Sequence, residues 1–517
     1  MAITVTNNWI VIPEREPLWI SLAHILTKTT KAKEIQTKTK KIRIPATTQY
    51  AYERHGSNVF IPIGLFPYIQ EYITLGVEFI DRRTIHNPRL ADTRDYVDHI
   101  FDYANILPGI TLRNEQLIAI KKILYAKRGI INACTGFGKT EVLCGTTKLL
   151  EKINGQMPTI LLFEPTIKLV NDTIKRFKKY GINAVAYSKT RSITPNVVNI
   201  AHPKSVGIDV EKDPHHLDPV EVMFGDESHH LSADTFRKPT YNMPNLVYSI
   251  GVSASAISQD HVNSKTLDKF SFEELLVIGA TGPLLLNVTA DYLIEKGDLA
   301  KPILLRLYNP ANEPMDSRLS QDWSTITDVR LHSSNRNDLI SHAAKQFADH
   351  NRKSLILVNT IEWARVLLTL FNQLGISDKV FASYGSNKFE IISNGEITTA
   401  KGDFFTDFDN GKYKIMIGTT HLYEGADISK LDAIILGFSG KVERLQIQGL
   451  GRALRKSKTG KYAYVVDFTD SQDNILNYHS NLRFKRYKEI IGIPEENIYN
   501  NIGISDIPNI LKERETL

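Results

Sequence analysis

The sequence has few of the residues that build disulfide frameworks, metal–thiolate centres or membrane spans. Its 517 residues include only two cysteines, Cys134 and Cys144, which excludes a disulfide scaffold and a cysteine-ligated zinc or iron–sulfur site. It has no apolar run long enough to cross a bilayer, and its N-terminus, Met1 to Trp9, is short and polar, unlike a signal peptide. We therefore expect a cytoplasmic protein with no membrane partner.

The sequence also lacks internal repeats and a strong excess of charge. The formal net charge is +6 and the pI is near 8.9, which is compatible with a polyanionic partner without requiring one. The histidine pairs 215–216 and 229–230 lack the partner spacing typical of a metal site. The length predicts about three domains.

Residues 133–140, which read Ala-Cys-Thr-Gly-Phe-Gly-Lys-Thr after the apolar run 129–132, say most about function. A strand, a glycine-containing loop and a helix start form a phosphate cradle, because backbone N–H groups and the positive helix end face the β- and γ-phosphates. Lys139 adds a charge, and Thr140 supplies a hydroxyl to Mg²⁺. A turn that carries Gly-Lys-Thr without binding phosphate is the alternative. The residues predicted to contact nucleotide here are Thr135, Gly136, Gly138, Lys139 and Thr140.

A second stretch supplies two adjacent carboxylates. The apolar run 220–224 is followed by Gly225, Asp226 and Glu227. At the end of a buried strand, Asp226 can hold the metal and Glu227 can polarise the attacking water. Surface Asp-Glu pairs are common, so the prediction depends on the phosphate loop in the same chain. Together they predict ATP hydrolysis, with ATP and Mg²⁺ as cofactors.

Alternating strands and helices in two stretches predict an α/β fold with parallel sheets covered by helices. The predicted parts are an N-terminal accessory domain at 1–105, a first α/β domain at 106–305, a linker at 306–334, a second α/β domain at 335–480 and a C-terminal tail at 481–517. Two such domains with one phosphate loop favour a motor over a simple kinase. The second domain is expected to close over the nucleotide held by the first.

Two basic features remain ambiguous when taken alone. A basic run has seven cations against the single acid Glu34: Lys28, Lys31, Lys33, Lys38, Lys40, Lys41 and Arg43. It fits a solvated β-hairpin or helix face, or a surface that contacts phosphates. Arg452 and Arg455, three apart on one helix face, fit a solvated face or a pair that stabilises charge on the γ-phosphate.

Taken in order, the motifs resemble those of superfamily two helicases and translocases, of the DExH type, over residues 112–470. The stretches that carry the resemblance are 112–116, 133–140, 164–170, 226–229, 251–256, 417–427 and 446–455. The resemblance implies two tandem RecA-like domains. It also implies nucleotide contacts at Arg113, Gln116, Gly425 and Asp427, nucleic-acid contacts at Thr166 and Thr419, arginine fingers at Arg452 and Arg455, and coupling through His229.

Residues 291–302 and 465–470 are also similar to the UvsW-like phage branch-migrating helicases and to type III restriction motors. A separate N-terminal domain favours the phage helicases. The resemblance then implies an ATP-dependent DNA helicase that remodels forks, Holliday junctions or R-loops in recombination, repair or replication. Its partners would be branched or duplex DNA and replication or recombination proteins, in the host cytoplasm if a phage encodes it.

Two other functions stay open. The same motifs permit an RNA helicase or an RNA-displacing motor. A nucleotide-switched clamp that binds nucleic acid without turnover is the third possibility, although Lys139, Asp226 and Glu227 argue for hydrolysis.

Overall fold

The computed structural model describes most of the chain in two compact units. The described residues are 2–30, 33–36, 41–44, 47–73, 78–84, 86–309, 333–384, 388–419, 431–437, 462–470, 474–489 and 493–516. One unit comprises Met1–Ala133 and Phe137–Asn287, and the other comprises Cys134–Gly136 and Val288–Leu517. Among the described residues, none of the helices combines the length and apolar character needed to span a membrane.

The first unit begins with a small five-stranded sheet. In spatial order its strands are Glu53–His55, Asn58–Pro62, Trp9–Pro13, Ala2–Val5 and Glu78–Asp81. Along Trp9–Pro13, buried residues alternate with partly buried ones, which shows that one face of this sheet is buried, as period-two patterning requires. That face shares one hydrophobic core with the helix Phe272–Thr281. The accessory sheet is therefore packed onto the α/β part of the same unit.

Within the described residues, the basic run and its neighbours form two antiparallel strand pairs, which we call the basic ribbon. Thr27–Thr30 pairs with Thr47–Tyr50, and Lys33–Gln36 pairs with Lys41–Ile44. Of the two shapes expected for this run, a β-hairpin or a helix face, the backbone adopts the hairpin.

The α/β part of the first unit contains a seven-stranded sheet. Its strands, in spatial order, are Ala184–Ala186, Val198–Ala201, Ile160–Phe163, Val222–Asp226, Tyr248–Ser253, Arg128–Ala133 and Leu284–Val288. The first six are parallel and almost wholly buried, as expected for strands covered on both faces. The helices of this unit are Pro17–Ala23, Phe66–Ile69, Pro88–Ala91, Arg94–Asp98, Asn114–Ala126, Lys139–Asn154, Ile167–Lys179, Tyr187–Thr190, Pro203–Lys212, Asp234–Arg237 and Phe272–Thr281.

The second unit contains a nine-stranded sheet. Its strands, in spatial order, are Glu396–Ala400, Phe389–Ser393, Val380–Ser383, Ile415–Gly418, Ser354–Leu357, Ala433–Leu436, Tyr462–Asp470, Lys301–Asn309 and Ile498–Ile502. The first two are antiparallel additions at one edge, and the other seven are parallel. The helices of this unit are Ala290–Glu295, Ser334–Asp349, Ile361–Gln373, Phe404–Asp409, Asn474–Glu489 and Ile507–Thr516.

The predicted fold class is confirmed, since two largely parallel sheets with helices follow a small N-terminal sheet. The domain boundaries stay predictions. The strand Lys301–Asn309 enters the stretch predicted as a linker, and the helix Asn474–Glu489 crosses the predicted boundary at 480. In that helix Arg483 and Tyr487 are buried.

Candidate nucleotide site

The phosphate loop joins the strand Arg128–Ala133 to the helix Lys139–Asn154, as the sequence predicts. Gly136 and Gly138 have φ angles of +93° and +85°, a region that glycine enters without steric cost. Lys139 is the first residue of the helix, and its Nζ donates to the carbonyl of Ala133 at 3.4 Å. The loop therefore places a lysine and a helix N-terminus together, which suits an anionic ligand.

Gln116 and Arg113 hold the loop from the side. The amide Nε2 of Gln116 donates to the carbonyls of Phe137 at 3.0 Å and Gly138 at 3.4 Å. Its Oε1 accepts from the backbone N of Arg113 at 2.9 Å, and the Arg113 guanidinium also donates to the Phe137 carbonyl. In this structure Gln116 thus positions the loop, and its predicted contact with adenine stays a prediction.

The carboxylate pair stands at the end of the strand Val222–Asp226. Asp226 closes the strand and accepts a hydrogen bond from the backbone N of Glu227 at 2.8 Å. Glu227 has φ +45° and ψ +51°, a left-handed conformation that is costly for a residue with a Cβ. This conformation turns the chain sharply at Glu227. The 3₁₀ helix Ser228–Ser232 therefore starts directly after the two acids.

A hydroxyl on the neighbouring strand joins Glu227 to His229. Ser253 donates to Oε2 of Glu227 at 3.3 Å, and Nδ1 of His229 lies 3.0 Å from the same hydroxyl. His229 is 5% exposed. The strand Tyr248–Ser253 runs parallel to Val222–Asp226 and also to Arg128–Ala133. Because the carboxyl ends of these strands meet at one edge, the structure brings the loop, the acids and Ser253 together.

The charges of this edge shift the pKa values of its carboxyl groups in opposite directions. Burial, reinforced by Glu227, raises the pKa of Asp226 to about 6. Burial also disfavours the Glu227 carboxylate, but the charges of Lys139 and the neighbouring histidines outweigh it and lower the pKa of Glu227. Glu227 is thereby kept as the anion that a general base requires.

Glu164 also lies at this edge of the sheet, although the sequence predicts no role for it. It follows the strand Ile160–Phe163, beside the strand that ends in Asp226. Its Oε1 accepts from the Thr173 hydroxyl at 2.6 Å. Burial, and next the charge of Asp226, hold its pKa well above the usual range. Only the strand order, which the sequence does not display, reveals this neighbour.

The two predicted nucleic-acid contacts have structural environments of their own. Thr166 caps the helix Ile167–Lys179, its hydroxyl accepting from the backbone N of Leu169 at 3.3 Å. Thr419 follows the strand Ile415–Gly418 and is 5% exposed. Gly425, Asp427, Arg452 and Arg455 lie outside the described residues. The roles of all six stay predictions.

In sequence, the chain is similar to helicases and to a DNA translocase. The family described as "Type III restriction enzyme, res subunit" matches residues 109–257. "Putative helicase 22" of Sulfolobus islandicus filamentous virus is 22% identical over 400 residues, covering 71% of this chain and 66% of the relative. "DNA 3'-5' translocase XPB2" of Sulfurisphaera tokodaii is 23% identical over 425 residues, covering 75% of this chain and 88% of the relative. The chain thus spans just under two thirds of the viral relative.

The structures matched with TM-scores above 0.5 agree on the fold. The DUF1998 helicase MrfA bound to DNA is 15% identical with a TM-score of 0.53, covering 75% of this chain and 50% of that one. A single-residue variant of S. cerevisiae Dbp5 bound to RNA and ADP BeF3 is 14% identical with a TM-score of 0.51, covering 78% of this chain and 97% of that one. T4 UvsW, at 16% identity, covers 98% of this chain and 100% of its own, with a TM-score of 0.40.

Proposed function

We propose that this chain, which the matched sequences identify as a superfamily two helicase, is an ATP-driven DNA translocase that remodels branched DNA. The observation that supports hydrolysis best is the pair of contacts at Ser253. They orient Glu227 and tie it to His229 at the sheet edge that also carries the phosphate loop. A clamp that binds without turnover would not need an oriented, ionised carboxylate at this place.

The residues present fit a magnesium nucleotide. The positive φ angles of Gly136 and Gly138 and the amino group of Lys139 suit a loop that binds phosphate oxygens. Among the described residues, no group of three or more His, Cys, Asp or Glu side chains is arranged to hold a metal. Thr140 and Asp226 would therefore hold Mg²⁺ together with phosphate and water oxygens, the arrangement magnesium favours.

In this proposal each residue has a defined task. Lys139 neutralises phosphate charge, and Glu227 accepts the proton of the attacking water while Ser253 keeps its carboxylate in place. Magnesium ATP, when bound, supplies the phosphoryl group and the metal charge. His229 shares the Ser253 hydroxyl with Glu227, so a shift of the strand end would disturb both.

The choice of DNA as substrate is supported by relatives. The S. tokodaii relative is named a DNA 3'-5' translocase, and MrfA is bound to DNA in its structure. Dbp5, bound to RNA, has the same fold, so RNA is the second candidate. Branched DNA is favoured by the accessory sheet and its basic ribbon, because a duplex arm and a single strand can then contact different parts of one unit.

Steady-state ATP hydrolysis tests the proposal, with single-stranded DNA, forked DNA, a four-way junction and RNA as separate stimulants. We expect the strongest stimulation by the fork or the junction. Stimulation by RNA alone would show that the substrate is RNA and not DNA. Equal stimulation by single-stranded and branched DNA would contradict junction preference while leaving a DNA translocase.

Glu227→Gln is the control for this experiment. Because it removes the proton acceptor and keeps the shape, we expect hydrolysis to fall about 10²–10⁴-fold with nucleotide binding retained. Residual hydrolysis equal to that of the unchanged protein would show that Glu227 is not the base.

A further inference from the structure

A cavity of about 470 Å³ lies between the accessory sheet and the segment that follows the catalytic acids. On the accessory side its wall includes Trp9, Tyr50 and Tyr52. On the other side the wall includes Arg237 and Tyr241. All of these residues belong to the first unit. The cavity is separate from the phosphate loop, and no motif of the sequence identifies it.

Five of the residues that line this cavity carry aromatic rings. Trp9 packs against Tyr241 with ring centroids 4.8 Å apart, and Tyr50 packs edge-on against Tyr52 at 5.1 Å. Tyr50 is nevertheless 50% exposed, an unusual exposure for a tyrosine among other rings. An exposed aromatic face beside a cavity can stack on a planar ligand.

The wall includes three acids, Glu53, Asp234 and Glu273, and two bases, Arg237 and Lys238. Glu273 forms an ion pair with Lys28, whose ammonium also lies 5.8 Å from the ring centroid of Phe272. Asp234 forms an ion pair with Arg237. An interior with aromatic faces and compensated charge suits a neutral planar group that forms hydrogen bonds, such as a nucleobase, better than a phosphate.

Positive charge is concentrated in the residues that precede one of the cavity-lining strands in the sequence. The strands Thr27–Thr30 and Thr47–Tyr50, which pair with each other, form the base of the ribbon, and the second contributes Thr48, Gln49 and Tyr50 to the wall. The sixteen residues between these strands carry six cations and one acid, Glu34. A stretch of sequence with this charge can attract a phosphate backbone, while the cavity, lined by Thr48, Gln49 and Tyr50, offers stacking surfaces for the bases.

We propose that this cavity binds unpaired nucleobases of a nucleic-acid single strand. Stacking on Tyr50 supplies affinity, and the basic ribbon supplies the charge that holds the phosphates. The inference rests on the proposed function, which supplies strands with unpaired bases at a junction. The cavity would be a binding site for these unpaired bases, separate from the sheet edge that binds ATP.

The cavity is lined by part of the segment that begins at the ATP site, so a bound base could influence that site. Ser232, at the end of the 3₁₀ helix that starts after Glu227, lines the cavity. The guanidinium of Arg237 donates to the carbonyl of Ser232 at 3.1 Å. A base in the cavity therefore contacts the segment that carries His229, and occupancy should raise ATP hydrolysis.

Tryptophan fluorescence tests the proposal without nucleotide. The full chain is titrated with a short oligothymidylate, with the duplex formed by that strand and its complement, and with oligouridylate, and Trp9→Phe identifies the emission that comes from the cavity. We expect quenching by either single strand that disappears in Trp9→Phe. Duplex DNA should quench much less. Equal quenching by duplex, or quenching that persists in Trp9→Phe, would overturn the proposal.

A variant series at Tyr50 tests the stacking directly. Because stacking on an aromatic ring contributes substantially to single-strand affinity, Tyr50→Ala should raise the Kd about tenfold, while Tyr50→Phe keeps the ring and the affinity. Tyr125→Ala, at an exposed tyrosine of the helix Asn114–Ala126, is the matched control and should change nothing. An unchanged Kd in Tyr50→Ala would overturn the proposal.

The failure of this inference and that of the proposed function are distinguishable. If Tyr50→Ala binds the oligothymidylate normally but branched DNA still stimulates hydrolysis, the cavity is not a base site and the helicase remains. If the oligothymidylate quenches Trp9 but no nucleic acid stimulates hydrolysis, the base site stands and the motor function fails.

Discussion

Nδ1 of His229 lies 3.0 Å from the hydroxyl of Ser253, a contact between neighbouring parallel strands that end at the nucleotide site. The same hydroxyl donates to Glu227. One oxygen thus links the proposed general base to the histidine that the motif predicts as a coupling residue. The contact offers a physical basis for that coupling, since a strand shift that moves Ser253 acts on both partners.

Ser253→Ala should uncouple hydrolysis from nucleic acid. Loss of the hydroxyl removes a hydrogen bond to a charged group, worth about 1.5–3 kcal/mol, so Glu227 loses its fixed orientation. We expect stimulated kcat to fall about tenfold or more, in line with a loss of that size, with KM for ATP little changed.

The matched control for this change is Ser255→Ala, two residues along. The Ser255 hydroxyl makes no hydrogen bond within the part of the chain that the structure describes, so its removal should leave kcat close to that of the unchanged protein. If both variants lose stimulation equally, the effect belongs to the segment and not to the Ser253 hydroxyl.

Gly138→Ala should abolish nucleotide binding. An added Cβ would lie 2.3 Å from Nε2 of Gln116, and the φ of +85° disfavours any side chain. Either the Gln116 amide loses its hydrogen bonds to the loop carbonyls, or the loop moves from its position at the helix start. Binding of a fluorescent ATP analogue measures the loss.

Gly109→Ala separates the effect of a positive φ angle from the effect of the close contact with Gln116. Its φ is +76°, but nothing lies within 4 Å of the added Cβ. We expect a loss of stability of about 1 kcal/mol and normal nucleotide binding. Normal nucleotide binding by Gly138→Ala would instead show that the loop tolerates the displacement.

The sequence predicts the parallel sheets well because buried parallel strands are short apolar runs between turn residues. The sequence predicts a strand at 380–383, which matches the structure residue for residue, and the predicted strand 129–132 lies one residue inside each observed end. The sequence also predicts a helix at 401–410, but in the structure it spans Phe404–Asp409, because Asp403 caps its first turn by accepting from the backbone N of Thr406. Residues 389–393 and 396–400, for which the sequence predicts no strands, form a hairpin. That hairpin has little apolar alternation, so its pairing depends on the neighbouring sheet edge.

The phosphate loop and the acids were predictable because a local motif defines each of them. Three other features of the site depend on tertiary structure. The bonds from Gln116 to the loop carbonyls, the position of Glu164 beside Asp226 and the cavity at Trp9 each need strands or helices distant in sequence. A single sequence does not show the order of the strands in a sheet. It therefore contains these residues but does not predict which of them lie close together.

Gly64→Ala should loosen the accessory sheet from the helix Phe272–Thr281. An added Cβ at Gly64 would lie 2.0 Å from the carbonyl oxygen of Ile278 and 2.7 Å from that of Gly279. Backbone atoms cannot rotate away as side chains can, so overpacking of this kind should cost about 1–3 kcal/mol. Urea unfolding measures the loss.

Gly207→Ala is the control for Gly64. The added Cβ would meet only Pro239, at an ordinary 3.7 Å, inside the helix Pro203–Lys212. Since alanine favours helices over glycine by about 1 kcal/mol, stability should be unchanged or higher. A Gly64→Ala protein as stable as the unchanged chain would show that the accessory sheet can shift without loss.

Arg483→Met should strongly destabilise the second unit, in a way that depends on pH. The guanidinium donates to both carboxylate oxygens of Asp467 at 2.9 Å, and Tyr487 donates to the same group at 2.8 Å. Arg483 and Asp467 are each 1% exposed. Removing one member of such a pair leaves a buried charge without its counterion and typically costs about 3–5 kcal/mol. Lys485→Met, on the exposed face of the same helix, should cost little.

The pH dependence follows from the pKa of Asp467. Burial disfavours the carboxylate, but the charge and hydrogen bonds of Arg483 outweigh it and hold the pKa of Asp467 below its usual range. The pair therefore contributes stability above the unfolded-state pKa, and the contribution is lost as pH falls through the lower folded-state value. Without Arg483 the pKa of Asp467 rises, so folding favours the protonated acid. We expect the loss in Arg483→Met to be smaller at pH 5 than at pH 7 in urea unfolding, and an equal loss at both would show that packing, not charge, is what the arginine contributes.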